Sequence, residues 1–509
     1  MTRIENPAFW QDHPDVDVVR VGDDFYTSSS SFHLSPGAPV LRSRDLQHWE
    51  PVGHSVPRLA AFGDAYALSA DGTGEGAYVR GIWASFFGHR PTDGRFFWGC
   101  GIDGHGTHVY SAPAAHGPWE PVAVLDRFCY DPGLLLDDDG TPYLAHGNTD
   151  LYVTQLTADL TAEVRHEQVF RTPPEIGVLE GSRFYRRGDA YYLWVTRPAN
   201  GQYVLRSTTG PFGPYELREV LLDLPGPIDG GGVPHQGGLV RTAGDRWYYQ
   251  AFVDAYPGGR VPVVAPVRWT DDGWPQVVTV DGRWAVDYPA PDLPTHDRDL
   301  APMHGPEDFR GPALPARFEW NHDPDDDAWS LHDGLRLRTA TVTDDLYRAR
   351  NTLTHRVVGP ASTATVEIDA GGLHEGDRTG LVLLRDLSAW VGVVREQGRL
   401  RLVRVDGAEL RPGDDGRWRT VSTGERVADL DLPGESVTLR VHVDVRPGVG
   451  RQATFAWSPD GGELVPLGEP FTLAHDWPFF LGYRFGVFAH ATLARGGGSV
   501  VHRFDVTPT

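Results

Sequence analysis

Three acidic residues occupy the same position in a short pattern that recurs within the first 190 residues. Asp15, Asp131 and Glu180 each lie eight positions ahead of a tight polar turn, and an aromatic segment follows each turn. A strand-like run, a turn signal and a second strand-like run predict a β-hairpin. Each acid is therefore expected at the start of the first strand of a hairpin. Three carboxylates at equivalent places in a repeated unit suggest one shared centre.

Carboxyl groups that meet at one centre can perform acid–base chemistry on a sugar. Glycoside hydrolysis needs one carboxylic acid to protonate the departing oxygen and a second carboxylate that attacks the anomeric carbon or activates a water. A third carboxylate nearby raises the pKa of the acid by like-charge repulsion and helps to orient it. Glutamate suits the acid, because its longer side chain reaches a laterally placed oxygen. Two other interpretations stay open: oxygen ligands for a divalent cation, and turn-forming acids without chemistry.

Two further hairpins extend the repeat to five units along the chain. Their turns lie at Asp93-Gly94 and near Gly244-Asp245, and all five turns are spaced by roughly 46 to 70 residues. Periods of this size with four strands per unit predict a five-bladed β-propeller. The starts of the five hairpins are expected to converge on one funnel at the mouth of the central channel. These starts are Asp15, Ser85, Asp131, Glu180 and Gln236.

A change of pattern after the fifth hairpin predicts a second domain. Residues 288–316 are rich in Pro, Asp and Gly, which is typical of a linker. After Phe318, short alternating runs are separated by turn signals every 8 to 14 residues, the pattern of an antiparallel β-sandwich. The sequence therefore predicts an all-β chain, with a catalytic propeller over residues 1–300 and a β-sandwich over residues 309–509.

The composition excludes several classes of protein. A net charge of −23 argues against a nucleic acid or an anionic membrane as partner, and no stretch approaches the about 18 apolar residues of a membrane span. The absence of lysine excludes Schiff-base, P-loop and kinase-type chemistry. Cys100 and Cys129 are the only cysteines, too few for a disulfide framework or a cysteine-rich zinc site. The first residues lack the apolar core of a signal peptide, which predicts a cytoplasmic location.

Several of these segments together resemble glycoside hydrolase family 43, and the resemblance covers nearly the whole chain. It implies a five-bladed propeller that carries an exo-acting, inverting glycosidase for terminal α-L-arabinofuranosyl or β-D-xylosyl units of hemicellulose-derived oligosaccharides. The matching segments are Asn6-Pro7 with Asp15 through Tyr26, Tyr130 through Gly133, Glu180-Gly181 with Phe184-Tyr185, and His235 through Val240.

The resemblance also implies a role for each of the three acids. Asp15 matches the general base, Glu180 the general acid, and Asp131 the aspartate that tunes the acid. Inversion sets the expected separation of the Asp15 and Glu180 carboxyl groups at about 6.5–9.5 Å.

Four further residues match binding positions of the family. Phe32 and Trp83 match aromatic residues that wall the sugar pocket, and Arg260 matches an arginine that hydrogen-bonds sugar hydroxyls. The chemistry requires no cofactor, but His235 matches a histidine at the propeller axis that often lies beside a water-ligated calcium or sodium ion. The competing interpretations are core packing for the two aromatic residues and for His235, and a solvated surface position for Arg260.

The second domain resembles the concanavalin-like sandwich appended to many β-xylosidases and arabinofuranosidases of this family. In such proteins it packs on the propeller and can close one side of the pocket. Trp329 and Trp390 would either stack on a polysaccharide or, as we expect, pack in the core. Val16, Ser85 and Ser182 stand where the family commonly has proline, which alters loops around the pocket but removes no reacting group.

Two rival functions remain to be weighed against hydrolysis of pentosides. The first is a non-catalytic carbohydrate-binding propeller, which the presence of all three acids disfavours. The second is a retaining fructosidase-type propeller, which is disfavoured because its Trp-x-Asn-Asp-Pro-Asn-Gly and Arg-Asp-Pro segments are absent. The expected partners are pentose-containing oligosaccharides. The sequence leaves the choice of pentose, its linkage and the oligomeric state open.

Overall fold

The predicted hairpins form the first two strands of five four-stranded antiparallel sheets. The computed structural model describes residues 2–294, 299–459 and 461–509. In the first sheet, Asp17–Val21 pairs with Asp24–Ser28 across a turn in which Gly22 has a φ of 63°. Only glycine adopts such a left-handed φ without steric cost, so the turn signal in the sequence is also a geometric requirement.

The five sheets are arranged as the blades of a propeller. The first strands of neighbouring blades contact one another around a closed ring, so these strands line the axis. In chain order the blades comprise Asp17–Val21, Asp24–Ser28, Gly37–Ser43 and Trp49–Val56; Phe86–Arg90, Arg95–Gly101, Thr107–Ala112 and Glu120–Leu125; Gly133–Leu136, Pro142–Asn148, Asp150–Leu156 and Glu163–Arg171; Glu180–Arg187, Ala190–Arg197, Gly201–Ser207 and Glu216–Leu222; and His235–Arg241, Trp247–Asp254, Arg260–Trp269 and Pro275–Val277.

Large aromatic side chains fill the space between adjacent blades. Trp194 of the fourth blade meets Tyr249 of the fifth edge-on, with 4.9 Å between ring centroids, and both are fully buried. Trp98 occupies the corresponding layer between the first two blades. Rings of this size bury 150–250 Å² each, about 4–6 kcal/mol at 25 cal/mol per Å². These layers hold the blades in a fixed relation around the axis.

The segment between the two domains is partly ordered into strands. Asp287–Pro289 pairs with Arg3–Glu5, and Gly305–Glu307 pairs with the last strand of the chain. The predicted linker over residues 288–316 therefore contains strand residues at its start and in its interior, because both segments pair with strands far away in the sequence. Residues 295–298 of that linker lie outside the described residues.

The second domain is a sandwich of two antiparallel sheets. One sheet orders its strands as Trp329–Leu331, Leu335–Arg338, Gly498–Pro508, Ala361–Asp369, Ser436–Asp444, Gln452–Ser458 and Val465–Pro466, with Gly305–Glu307 and Phe471–Thr472 on its sides. The other orders them as Trp418–Asp431, Arg399–Pro412, Leu387–Glu396, Asp377–Leu384, Arg484–Ala491, Leu353–Arg356, Phe318–Asn321 and Leu34–Ser35. The propeller and the sandwich together confirm the predicted all-β fold class.

Helical structure is confined to five short 3₁₀ turns among the described residues. They are Leu59–Phe62, Asp64–Tyr66, Asp326–Ala328, Leu346–Arg348 and Trp477–Phe479. Of the residues that the structure describes, none forms a helix with the length and apolar character that a membrane crossing requires.

The two tryptophans considered for polysaccharide stacking lie in different surroundings. Trp390 is 3% exposed and packs in an apolar cluster of the sandwich. Trp329 is half-buried, packs against Trp320 and lines an open groove on the sandwich. Trp390 is therefore a core residue, as expected. Trp329 packs on Trp320 with one part of its ring and faces an open groove with another.

The domains are joined by a shared sheet and by a buried charge cluster. Leu34–Ser35 of the propeller pairs with Phe318–Asn321 of the sandwich. Beside this pairing, the fully buried Glu319 accepts hydrogen bonds from Arg484 Nη1 at 2.6 Å and Arg356 Nη2 at 3.1 Å. These guanidinium groups hold the pKa of the Glu319 carboxyl well below its usual range, although burial alone would raise it. The junction is thus built around an ionised carboxylate.

Substitution of Glu319 by glutamine should destabilise the junction strongly. The amide keeps the shape but removes the charge that two buried guanidinium groups share, and breaking a buried pair in this way costs about 3–5 kcal/mol. Chemical denaturation followed by tryptophan fluorescence measures the loss. The control is Glu216→Gln, which removes an ion pair whose glutamate side chain is 60% exposed and which should change stability little. Equal effects of the two substitutions would contradict the role assigned to Glu319.

Candidate active site

The starts of three blades share an unusual backbone conformation. Asp15, Asp131 and Gln236, at the starts of blades one, three and five, have φ values of 58°, 45° and 51°. A left-handed conformation costs a residue with a Cβ atom about 1–2 kcal/mol. Strain of this kind persists where the surrounding structure imposes it, often at functional sites.

The other two blades depart from that arrangement. In blade four the left-handed residue is Gly181, with a φ of 65°, and the pairing register shifts between Glu180 and Arg183. In blade two Ser85 is buried and accepts a hydrogen bond from the Trp98 indole at 3.0 Å. The expected convergence of all five starts thus holds for four residues that line one cavity, whereas Ser85 faces the blade interior and Ala84 lines the cavity in its place.

A cavity of ≈ 450 Å³ lies at the mouth of the propeller and contains all three predicted acids. This size is typical of a small-molecule site. The propeller supplies most of its wall and the sandwich supplies Trp477 and Phe480. The lining residues are Asp15, Trp83, Ala84, Tyr130, Asp131, Glu180, Pro198, Ala199, His235, Gln236, Phe252, Asp254, Tyr256, Arg260, Trp477 and Phe480.

Asp15 is almost fully buried and is held by side chains of two blades. Ser30 Oγ donates to its Oδ2 at 2.6 Å, and Arg260 Nη1 lies 3.4 Å from its Oδ1. A carboxylate held on both oxygens has a fixed orientation. It can accept a proton from a water placed on the open side of the cavity.

Asp131 and Glu180 form a pair of interacting carboxyl groups. Burial raises the pKa of Asp131 well above its ordinary value, and the negative charges of Glu180 and Asp15 add to that rise. Burial also raises the pKa of Glu180, again assisted by the charge of Asp15. Arg260 opposes both shifts without reversing them. The pair therefore retains a proton at a higher pH than isolated carboxyl groups would.

The hydrogen bonds of Glu180 leave one of its oxygens for that proton. Tyr130 Oη donates to Glu180 Oε2 at 3.1 Å, and Asn148 Nδ2 donates to the same oxygen at 2.6 Å. Among the described residues, no hydrogen bond is formed to Oε1. A protonated Oε1 could therefore donate into the cavity.

Arg260 occupies a position suited to a sugar-binding cation. Its guanidinium lies between the Phe252 and Phe480 rings, 5.1 Å and 4.8 Å from their centroids. Its Nε lies 3.3 Å from Asp254 Oδ1, and its backbone N–H donates to Asp12. The predicted binding residue is thus part of the cavity wall and not a solvated surface residue.

The two aromatic residues predicted to wall the pocket lie in different layers. Trp83 lines the cavity and meets the Phe480 ring edge-on at 4.9 Å. Phe32 has no exposed surface and packs behind Trp83, with 4.8 Å between ring centroids. Phe32 therefore supports the wall without facing the cavity, because Trp83 and Phe480 cover it.

His235 lines the cavity on its axial side in a neutral state. Its Nδ1 donates to the Val233 carbonyl at 2.8 Å, and burial lowers its pKa. A neutral ring of this tautomer keeps the Nε2 lone pair available to a water or a metal ion. No group of three or more His, Cys, Asp or Glu side chains in the described ranges could hold a metal ion. An axial calcium or sodium ion stays a prediction.

The absence of such a ligand group among the described residues also bears on the three acids. It does not favour the interpretation of Asp15, Asp131 and Glu180 as ligands of a divalent cation. Asp15 is held by a serine and an arginine, whereas Glu180 is held by a tyrosine and an asparagine. These different partners suit different protonation states of the two acids.

The sequence does not predict the contacts of several other residues of the site. Tyr130 directly precedes Asp131, so its place at the mouth follows from the hairpin prediction, but its hydrogen bond to Glu180 does not. Asn148 lies at the end of the second strand of blade three. Trp477 and Phe480 carry no local signal, because only the docking of the sandwich brings them to the cavity.

Comparisons with known proteins agree with this architecture. A family model described as "Glycosyl hydrolases family 43" matches residues 4–275, and one described as "Beta xylosidase C-terminal Concanavalin A-like domain" matches residues 306–506. A Beta-xylosidase of Formosa agariphila is 26% identical, with 95% of this chain and 87% of that protein covered. A non-reducing end alpha-L-arabinofuranosidase of Bacteroides ovatus is 26% identical, with 75% and 74% covered.

A solved structure is similar over the full length. It comes from the engineering of the active site of a family 43 glycoside hydrolase that generated both endo-xylanase and exo-arabinofuranosidase activity. Its TM-score is 0.94 at 43% sequence identity, and the alignment covers 100% of both chains.

Proposed function

This chain belongs to glycosyl hydrolase family 43 and is a glycosidase, and from that premise we propose that it is exo-acting and inverting. Its substrates are hemicellulose-derived oligosaccharides from which it removes terminal α-L-arabinofuranosyl or β-D-xylosyl units. One observation carries the proposal: Asp15, Asp131 and Glu180, from three different blades, line a single cavity with an arginine and aromatic walls.

The three acids have separate tasks in the proposed reaction. Glu180 passes the proton on Oε1 to the glycosidic oxygen as the bond from that oxygen to the anomeric carbon breaks. Asp15 removes a proton from the water that attacks the anomeric carbon from the opposite face. Asp131 tunes the acid, because its carboxyl group interacts with that of Glu180 and the pair retains the proton that the reaction needs. Inversion places the carboxyl groups of Asp15 and Glu180 about 6.5–9.5 Å apart, because a water must fit between the base and the sugar.

The shape of the cavity supports removal of a single terminal unit. Trp477 and Phe480 of the sandwich form part of the wall, so the sandwich closes one side of the cavity. Arg260 offers donors to sugar hydroxyls, and Trp83 offers an apolar surface. An adjoining cavity of ≈ 200 Å³ shares Trp83 and Tyr130 and adds Phe128, which provides an aromatic surface for the next sugar.

The names of the relatives support the substrate class. Both a β-xylosidase and an α-L-arabinofuranosidase occur among them. Xylose and arabinose are both uncharged pentoses, so hydrogen bonds to their hydroxyl groups are sufficient for recognition. A cytoplasmic location stays a prediction.

A panel of 4-nitrophenyl α-L-arabinofuranoside, β-D-xyloside and α-L-arabinopyranoside, together with arabinoxylan oligosaccharides, tests the proposal. We expect hydrolysis of at least one of the first two and faster release from oligosaccharides than from polymer. Proton NMR of early product should show the anomer opposite to that of the substrate. Retention would contradict the inverting mechanism, and binding without any release of sugar would favour the non-catalytic alternative.

A further inference from the structure

One arginine lies beneath the three acids and is not part of the cavity wall. Arg183, three residues after Glu180 on the first strand of blade four, is 1% exposed. A buried guanidinium is rare unless its donors and its charge are satisfied. The partners of Arg183 therefore indicate what holds it there.

The guanidinium of Arg183 donates to three backbone carbonyls, each of which belongs to one of the three acids or lies within two residues of one. Its Nη2 donates to the carbonyl of Asp15 at 2.9 Å. Its Nη1 donates to Pro132, directly after Asp131, at 3.2 Å and to Ser182 at 3.1 Å. One planar group thus connects the starts of blades one, three and four.

The charge of Arg183 extends this connection to a further blade. Its Nε lies 3.4 Å from Asp17 Oδ1, and Asp17 Oδ2 accepts a hydrogen bond from the Phe87 backbone at 2.9 Å. Phe87 belongs to the first strand of blade two. The Arg183–Asp17 pair therefore links four blades at the level where the acids emerge.

The backbone around Arg183 leaves no room for adjustment. A Cβ atom added to Gly133 would lie 2.4 Å from the Ser182 carbonyl oxygen and 2.6 Å from Arg183 Cα. The starts of blades three and four are therefore in direct backbone contact. Asp15 and Asp131, whose backbones are left-handed, lie at or next to the carbonyls that Arg183 binds. Such backbone strain persists only where the surrounding structure imposes it.

We propose that Arg183 is a positioning residue that sets the placement of Asp15, Asp131 and Glu180 relative to one another. It acts through the backbone carbonyls that it binds, and the inference rests on the proposed hydrolysis. The base and the acid must act on the same bond from opposite faces, and a misplacement of about 1 Å can cost about 100-fold in rate. The positive charge of Arg183 also opposes the rise in pKa that the other two acids cause at Asp131.

The Arg183→Lys variant separates geometry from charge. Lysine keeps the positive charge beside Asp17, but one ammonium group cannot reproduce the fork that reaches three carbonyls. We expect kcat on a 4-nitrophenyl pentoside to fall by about 100-fold, with a smaller change in KM. The limbs of the pH–activity profile should stay at the same pH values, because lysine keeps the positive charge of residue 183. A crystal structure of the variant should show the Asp15 and Asp131 carboxylates displaced relative to Glu180.

Arg404→Lys is the matched control. Arg404 is an equally buried arginine in the sandwich, where Nη1 donates to the Leu467 carbonyl and the guanidinium pairs with Asp406. This variant should lose stability without losing kcat per folded molecule. Should Arg183→Lys fail to fold, the double variant Arg183→Met with Asp17→Asn removes the whole buried pair. In that variant kcat should also fall. The alkaline limb of its pH–activity profile should move to higher pH, because the charge of Arg183 no longer lowers the pKa of Asp131.

The outcomes distinguish the inference from the proposed function. A wild-type protein that hydrolyses no pentoside contradicts the proposed function, and the carboxylate positions in the crystal structures then still test Arg183. The inference is overturned if the folded Arg183→Lys variant or the double variant has the kcat of the wild type. It is also overturned if the carboxylate positions in the variant crystal structure are unchanged.

Discussion

Replacement of Glu180 by glutamine will lower kcat on arabino- and xylo-oligosaccharides by about 10²–10⁴-fold, the usual contribution of general acid–base catalysis. Glutamine keeps the acceptor for Tyr130 and Asn148 on one side of the group but has no carboxyl proton to give. The sugar that departs from a natural substrate is a poor leaving group without protonation. A 2,4-dinitrophenyl glycoside needs no proton on its departing oxygen, so its turnover should be largely spared.

The pH dependence gives a second test of the same role. Burial raises the pKa of Glu180, so the proton is kept to higher pH and wild-type activity should fall as the pH rises through this raised value. The Glu180→Gln variant should lose that limb with the activated substrate. Glu175→Gln, an exposed position in the preceding loop, is the control and should behave as wild type. Equal losses on oligosaccharide and dinitrophenyl substrates would argue against the acid role.

The repeated hairpins could be predicted from the sequence because their signals are local. Polar turns between aromatic runs predict pairs of strands, and the spacing of five such pairs predicts five blades. The positions of the acids at the starts of blades one, three and four could also be predicted, because they have a fixed spacing from the turns. The conformation at each start could not, because the left-handed residue is Asp15 or Asp131 in two blades but Gly181 in the other.

The layers of the site depend on contacts between distant segments. Phe32 and Trp83 are both aromatic and both lie near the mouth, yet only Trp83 faces the cavity. Phe480 of the sandwich decides this, since its ring packs against Trp83 and lies over Phe32. No pattern near Phe480 reports that contact, and its left-handed φ of 60° arises in a loop that docks on the propeller.

The electrostatics of the site depend on which charged groups the fold brings together and not on the overall composition. The chain carries a net charge of −23, but two arginines, Arg183 and Arg260, stand beside the three acids. Arg260 is held in turn by Asp12, whose second oxygen accepts from the Gly482 backbone of the sandwich. The sandwich therefore influences the base through two intermediate residues, Asp12 and Arg260, and a linear sequence does not reveal this connection.

Replacement of Asp15 by asparagine should lower kcat by about 10²–10⁴-fold on every substrate, whatever its leaving group. An amide can keep the hydrogen bond from Ser30, but it cannot take a proton from the attacking water. This uniform loss contrasts with the selective loss in Glu180→Gln. Because the charge of Asp15 contributes to the raised pKa of Glu180, its removal should also move the alkaline limb of the residual activity to lower pH.

A smaller residue at the same position tests where the base acts. Asp15→Gly tolerates the φ of 58° and leaves space beside Ser30 for azide. Azide should restore turnover of a dinitrophenyl pentoside and yield a glycosyl azide of inverted configuration, because the vacated position faces the sugar opposite to the leaving group. Asp23→Asn, at a turn position whose side chain is 78% exposed, should leave kcat unchanged. A glycosyl azide of retained configuration, or an Asp15→Asn variant with near wild-type kcat, would show that Asp15 is not the base, since only a group across the sugar from Glu180 can deliver the inverting nucleophile.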